Sequence, residues 1–545
     1  MLSSNILNTV TMKKFTLYIL TAFSLMGLTT SCNDFGDVNN DPMNLNPGVV
    51  DYKMEFTQVQ AQICGSDWDV WRNGCIYTAN MIQHTATVDW VYGSFYTWSD
   101  QYSGAYWTGF YSGGRAAIRN IIDVMNNWEG NPAYENEYQM CRIMKAYMFQ
   151  NMTDLYGDVP YSEAGQGYST NPIPYPKYDT QESIYNDLLK ELDEAQAALS
   201  TSASNTIGAA DVIYGGDAAK WKKFANSLML RVAMRLTKVA PDKAKTWVAK
   251  AVANGLFVSN DDNAIVRHAN GSPSDDSAEP YGKVFSSLDT QAFFISETFI
   301  EILKDDPRLP LIATVCTKDP KPGWGDADFD LGDNASDKQK GMPVGYDSKG
   351  GDWDISKAPG YPGDDWRKTY SVPNRTVYAR PDSPSMLVTH AGNLLLLADA
   401  VKRGLYTGDA ENLYKEGVTA AMKQFSYYEK ATTTITDAEI AAYLDANPLN
   451  ADTEKALEQI NTEYYIHTFC NEYEAFANWR RTGYPKLTPS QNAASYPNNV
   501  TNGEIPRRFI YPTSEITANP VNYNDAVKRL SGGDKMTSRV WWDKQ

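Results

Sequence analysis

Asp217-Ala218-Ala219-Lys220-Trp221-Lys222-Lys223-Phe224-Ala225-Asn226-Ser227-Leu228-Met229-Leu230-Arg231-Val232-Ala233-Met234-Arg235-Leu236 is the stretch that decides the fold. Trp221, Phe224, Ala225, Leu228, Met229, Val232 and Leu236 fall at i, i+3, i+4, i+7, i+8, i+11 and i+15. An α-helix turns once in about 3.6 residues, so these side chains share one face. Lys220, Lys222, Lys223, Arg231 and Arg235 flank the stripe. The pattern predicts an amphipathic helix over 218–237 that needs a second helix to cover its apolar face.

The same pattern recurs on both sides. Over 179–199, Ile184, Leu188, Leu192, Ala195 and Leu199 form an apolar face, and Asp179 with Glu182 reads as a capping box. Thr436 with Glu439 makes another such start. Residues 386–401 are apolar almost all round, which predicts a helix buried on most sides. The helices pair in order as 115–128 with 137–153, 181–200 with 218–237, 242–254 with 386–403, and 410–428 with 454–478. Stacked helical hairpins bury a continuous core between neighbours. The expected fold is mainly α, a TPR-like helical repeat body of about four helix pairs carrying a loop-rich insertion.

The repeat regions span about 115–257 and 386–478, within a single domain at 51–545. The insertion, about 258–384, holds Asp-Asp, Gly-Gly, Pro-Gly and Asn-Gly punctuation, with helical character only at 290–304. A stretch of that length needs its own packing or a function. Residues 479–545 form a closing segment. Within the insertion, Asp326, Asp328 and Asp330 suggest a calcium loop. It departs from the EF-hand form, because Leu331 stands where glycine is needed and Asp337 replaces the final glutamate. A solvated acidic turn is the default reading.

The N-terminus carries an address. Lys13 and Lys14 precede an apolar run from Phe15 to Leu28, and Leu28-Thr29-Thr30-Ser31 leads into Cys32. That is the layout of a secretory signal, and the run is too short to span a bilayer. Residues 1–31 read as a signal peptide, and a cysteine at the cut resembles a bacterial lipoprotein signal. Cys32 is then the lipidation site, and 32–50 a flexible acidic tether. Thr29 departs from the usual leucine three places before the cysteine. The alternative is an ordinary signal peptide with a chance cysteine.

Composition limits the partners. Of 545 residues, 42% are hydrophobic and 12% aromatic, which marks a globular chain. Net charge is −17, and removing the two lysines of residues 1–31 leaves −19. Such a surface repels nucleic acid and suits a neutral ligand. Five cysteines remain besides Cys32: Cys64, Cys75, Cys141, Cys316 and Cys470. Cys64 and Cys75 are close enough in sequence to bridge in an oxidising compartment, and the other reading is five buried thiols. The four histidines are scattered, and neither HExxH nor GxSxG occurs, so nothing marks a catalytic centre.

Five further strings carry a resemblance. They are Thr153-Asp154-Leu155-Tyr156-Gly157-Asp158-Val159-Pro160-Tyr161; Asp179-Thr180-Gln181-Glu182-Ser183-Ile184-Tyr185; Gly216-Asp217 with Trp221 to Leu228; Asn471-Glu472 with Phe476 to Pro485; and Arg507-Arg508-Phe509 with Tyr511-Pro512. In this order, behind a lipoprotein signal, the chain resembles the SusD/RagB family of nutrient-binding outer-membrane lipoproteins. The resemblance implies four TPR-like helix pairs with a variable, loop-rich ligand face, and no chemistry on the ligand. It implies a lipid-anchored position on the cell surface, a glycan ligand, and a TonB-dependent SusC-like transporter as partner. Read physically, the strings are mostly structural: Gly157 stops a helix, and Arg480 and Arg481 pair with acidic residues either of the same chain, the favoured reading, or of the transporter.

Residues 68–111 hold thirteen aromatics in 44 positions, about 30% against 12% for the whole chain. A sugar ring offers an apolar C–H face to an aromatic ring and a hydroxyl rim to Asp, Asn, Gln and Arg. The first ligand candidates are therefore Trp90, Tyr92, Tyr96 and Trp98, with Tyr102, Tyr106 and Tyr111 assigned to the helical core. The second set is Trp324, Trp353, Tyr361 and Trp366, set among Gly, Pro and Asp in the insertion. Core packing and loop stapling are the competing readings for all of them. A peptide-binding module and a surface glycosidase are the rival functions.

Overall fold

The apolar stripe around Trp221 forms the helix the spacing predicts. Asp217 caps it, its carboxylate accepting from the backbone N–H groups of Ala219 and Lys220. Trp221, Phe224, Leu228 and Met229 are fully buried. Burial of one such side chain stabilises the fold by about 1.5–3 kcal/mol. The computed structural model describes residues 51–113, 116–168, 171–268, 277–288, 291–319 and 329–544. The signal peptide, Cys32 and the tether lie outside them.

The helices of the repeat body are α1 (Ala117–Trp128), α2 (Glu135–Tyr156), α3 (Gln181–Ala198), α4 (Ala218–Arg235), α5 (Pro241–Asn254), α6 (His390–Lys402), α7 (Ala410–Lys423), α8 (Thr453–His467) and α9 (Glu472–Thr482). Each packs on the next in the runs α1–α2–α3–α4–α5 and α6–α7, while α8 packs on α6 and on α9. This is the TPR-like helical body. Residues from Lys53 onward form one compact unit.

Several expected details differ. The expected pair 242–254 with 386–403 does not form: α5 packs on α4, and α6 pairs with α7 instead. Residues 386–388 are not helical but belong to the strand Ser385–Val388, paired with Ala264–Val266. Thr389 then caps α6 through the Gly392 N–H. The expected helix 454–478 is two helices. Cys470 takes a positive φ of 63° and breaks the path, and its N–H is held at 2.9 Å by the Glu472 carboxylate. Helix α3 is capped by Thr180, not Asp179, which lies in a short strand against Val159–Pro160. The Thr436–Glu439 capping box is present.

The quoted family strings meet at the end of α2. Gly157 adopts φ 90°, which ends the helix where a side-chain-bearing residue would be strained. Buried Asp154 accepts from Trp542 Nε1 at 2.8 Å, from the Tyr185 hydroxyl and from Arg235 Nε at 3.3 Å. Arg480 donates to the Asp154 carbonyl at 2.6 Å, and Arg508 to the Tyr156 carbonyl at 2.9 Å. Arg481 reaches Asp399, Asn461 and Asn478. Both arginines of the pair therefore bond within the chain, with Arg480 Nη2 buried and lacking an acceptor among the described residues. The cysteines Cys64, Cys75, Cys141, Cys316 and Cys470 are free thiols.

The insertion is held by short antiparallel ladders. Ala313–Val315 pairs with Ser371–Pro373, and Phe294–Ile295 pairs with Thr85–Ala86. The second ladder ties the insertion to the aromatic-rich segment. A core of Val88, Phe294, Cys316, Met342, Tyr346, Ile355, Tyr370 and Val372 packs beneath it.

Candidate functional site

The aromatic segment opens on Ser66, whose hydroxyl caps a short helical turn at Asp67–Asp69. A π-helical stretch, Val70–Ala79, follows. Its wide turns are closed by side chains: the Thr78 hydroxyl donates to the Asn73 carbonyl, and Asn80 Nδ2 to the Cys75 carbonyl. Asn73 in turn accepts from the Tyr106 N–H and donates to the Tyr102 carbonyl at 2.9 Å. These bonds fix Trp68, Trp71 and Tyr102 relative to one another.

The result is a comb of rings. Trp68 and Trp71 meet edge-to-face at 5.5 Å, Trp71 and Trp90 at 5.3 Å, and Trp71 and Tyr102 at 5.6 Å. Tyr92 continues the row 4.9 Å from Tyr102. Trp90 also stacks on Phe293 of the insertion at 6.3 Å. Trp68 is 49% exposed, and Trp71, Trp90, Tyr92 and Tyr102 are half-buried, so ring surface remains open to solvent. Crossed rings hold each other upright, which keeps those faces in place without a ligand.

Polar groups stand at its edge. Asp89 accepts from Arg367 Nη2 at 3.3 Å and from the Ser348 hydroxyl at 2.9 Å. Arg367 lies over the Trp366 ring at 4.3 Å and donates to the Gln291 carbonyl at 2.7 Å. The Gln291 side chain is 4% exposed, and neither its amide nitrogen nor its oxygen has a protein partner among the described residues. Arg72 sits over Trp68 at 5.3 Å, and its Nε is buried without an acceptor among the described residues. Donors and acceptors left over beside open rings are what hydroxyl and amide groups of a sugar would satisfy.

Of the sequence-derived candidates, the structure joins Trp90 and Tyr92 to this comb. Tyr96 is a correction. Its ring is fully buried and its hydroxyl accepts from the Ser490 N–H at 2.9 Å, so it holds the loop and presents no face. Trp98 is 36% exposed but lies outside the row of rings, on the loop fixed by Tyr77, which donates to the Thr97 carbonyl and accepts from the Ser99 N–H. Trp353 is half-buried, donates to the Ser495 hydroxyl at 3.3 Å and meets Tyr496 edge-on at 5.4 Å. Tyr361 and Trp366 pack against the insertion core, half-buried, so they staple loops first. Trp324, Asp326 and Asp328 lie outside the described residues. Asp330 accepts from Thr317 N at 2.6 Å, Lys318 N at 2.9 Å, Gly332 N at 2.9 Å and the Thr317 hydroxyl at 2.8 Å. That is an acidic turn, and those bonds hold the Asp330 acid below its usual pKa. Trp68, Trp71, Arg72 and Gln291 were not singled out from the sequence, and Tyr102, assigned there to the helical core, is half-buried and packs its ring against Trp71 and Tyr92. The i, i+3 spacing of Trp68 and Trp71 was the available signal.

The histidines are structural where described. His84 Nδ1 pairs with Glu472 at 2.7 Å and Nε2 meets the Tyr465 carbonyl at 3.0 Å, inside a box of Phe299, Tyr465 and Phe469. His467 lies between Thr389 and Gln424, and burial pushes its pKa down to about 3.

A family model described as "SusD-like, starch-binding associating with outer membrane" matches residues 48–512. The chain belongs to this SusD-like family. Solved structures agree. A chitin-binding protein is 32% identical, covering 91% of this chain and 100% of its own, with a TM-score of 0.75. A SusD-like protein from Bacteroidetes AC2a is 30% identical over the same shares, with a TM-score of 0.80. A chitin-binding SusD homologue from Flavobacterium johnsoniae is 26% identical, covering 91% and 99%, with a TM-score of 0.72. No curated protein sequence matches. The SusD-like chain is thus a member of a glycan-binding, outer-membrane-associated family. Among the described residues no helix is long and apolar enough to cross a membrane.

Proposed function

We propose that this SusD-like protein captures an oligosaccharide at the cell surface and delivers it to a TonB-dependent SusC-like transporter. Cys32 anchors it by lipid to the outer membrane, with residues 32–50 as the tether. The observation that carries the reading is the comb of Trp68, Trp71, Trp90, Tyr92 and Tyr102, edged by Asp89, Arg367, Arg72 and the unpartnered Gln291 amide. Crossed rings with open faces suit the C–H surface of a pyranose, and the polar edge suits its substituents.

The ligand class we favour is a β-1,4-linked N-acetylglucosamine oligomer. Two similar structures are described as chitin-binding. An acetamido group carries one donor and one acceptor, and the Gln291 side chain offers an unpartnered acceptor and donor. Chitohexaose, cellohexaose and maltohexaose are titrated against the protein lacking residues 1–32. Chitohexaose is expected to bind most tightly. Trp90→Ala and Trp71→Ala are each expected to weaken it about ten-fold, or about 1.4 kcal/mol. Unchanged binding in both variants would remove the comb as the site. Release of shorter sugars from chitohexaose would instead favour the glycosidase.

A further inference from the structure

A second cleft, sharing no lining residue with the comb, lies where α9 meets the closing segment. It has a volume of about 500 Å³ and is lined in part by Trp479, Arg507 and Arg539, with Glu504 on its exposed rim. Volumes of roughly 300–1,000 Å³ suit a small molecule.

Two arginines and a tryptophan form its basic wall. Trp479 is only 7% exposed, yet its Nε1–H has no acceptor among the described residues. A buried indole N–H normally finds a partner, and leaving it without one is unfavourable. Arg507 lies over the Trp479 ring at 4.9 Å and grips Asp543 through Nε at 2.8 Å and Nη2 at 2.5 Å. Arg539 reaches the same carboxylate only through Nη1, at 2.8 Å. Its other N–H groups meet no protein acceptor among the described residues. One buried carboxylate therefore serves two arginines, on a chain whose overall charge is −17. Nearby Lys238 has its pKa lowered, by burial first and then by Arg403, Arg507 and Arg481 against Asp543, which reports the same crowding of cations.

The unspent groups of Trp479 and Arg539 are donors, the Glu504 carboxylate stands at the exposed rim, and Asp543 shows which acceptor the arginine geometry takes. A guanidinium fork matches a carboxylate with two parallel bonds. We propose that the Trp479–Arg507–Arg539 cleft binds the carboxylate of a small acidic saccharide, a uronic-acid unit, through the Trp479 indole N–H and the free face of Arg539. The cleft is too small for a macromolecular surface and large enough for a sugar ring beside the carboxylate.

Glucuronate, glucose and acetate are titrated against the purified protein at low ionic strength, read by calorimetry and tryptophan fluorescence. Glucuronate is expected to bind in the millimolar range and at least ten-fold more tightly than glucose. Arg539→Ala, at a half-buried surface residue, and Trp479→Phe, which keeps the ring and removes the N–H, should each weaken it at least five-fold. Chitohexaose should not displace it. Equal affinity for glucuronate and glucose, or unchanged glucuronate binding in Arg539→Ala, overturns the proposal. Acetate binding as tightly as glucuronate overturns the saccharide part of it, and displacement by chitohexaose overturns the separateness of the cleft.

Discussion

Buried ionisable groups set the behaviour of this molecule with pH, and Glu279 is the clearest case. It is 6% exposed, accepts from the Gly282 N–H and takes the Ser385 hydroxyl at 3.0 Å. Among the described residues no cation pairs with it, and burial pushes its pKa up from 4.5 to about 8. The folded chain therefore keeps a proton that the unfolded chain gives up. Below about 4.5 the contribution is complete, and it is lost as pH rises from there through about 8. Calorimetry should show Glu279→Gln losing a few degrees less in Tm than the parent between pH 5 and pH 8.5. A parallel loss in both proteins would show that Glu279 is ionised in the fold. Tyr96 shows what single residues hide. An aromatic between polar neighbours reads the same whether its ring faces solvent or, as here, closes a loop through the Ser490 N–H.

At the scale of elements, the helices were legible because their apolar periodicity is local. The stripe from Trp221 to Leu236 needs no knowledge of the rest of the chain. Pairing was less legible, since covering a stripe is a long-range matter: α5 and α6 flank the insertion, and each found a different neighbour. The break at Cys470 left no glycine or proline as a signal, because the strained turn is held by Glu472 and by Asn471 donating to the Met386 carbonyl. The comb was half legible: its aromatic density is in the sequence, but the insertion residues that complete it, Phe293, Gln291 and Arg367, arrive through the ladder at Phe294–Ile295. Caps are the local determinant most open to test. Asp217 satisfies two N–H groups at the start of α4 from an exposed position. Asp217→Ala should cost about 1 kcal/mol in denaturant unfolding, with an unchanged m-value and unchanged glycan binding. Loss of binding at full stability would mean that the cap matters to the site and not to the helix.

At the scale of the whole molecule, placement and recognition separate. The body from Lys53 onward is compact, and the comb, its polar edge and the second cleft all lie within it. Nothing in the net charge of −17 draws that body to an anionic membrane surface. On the proposed reading, membrane attachment rests on the acyl chains at Cys32. Each buried methylene contributes about 0.8 kcal/mol, so two or more chains hold a protein that a single chain would release. Cys32→Ala should therefore move the protein from the membrane fraction into the soluble fraction after cell lysis. The purified variant should bind chitohexaose as the soluble parent form does, because no comb residue lies before Trp68. Retention of the variant in washed membranes would overturn the lipid anchor while leaving the comb untouched, and loss of glycan affinity with normal release would place part of the site in the leader.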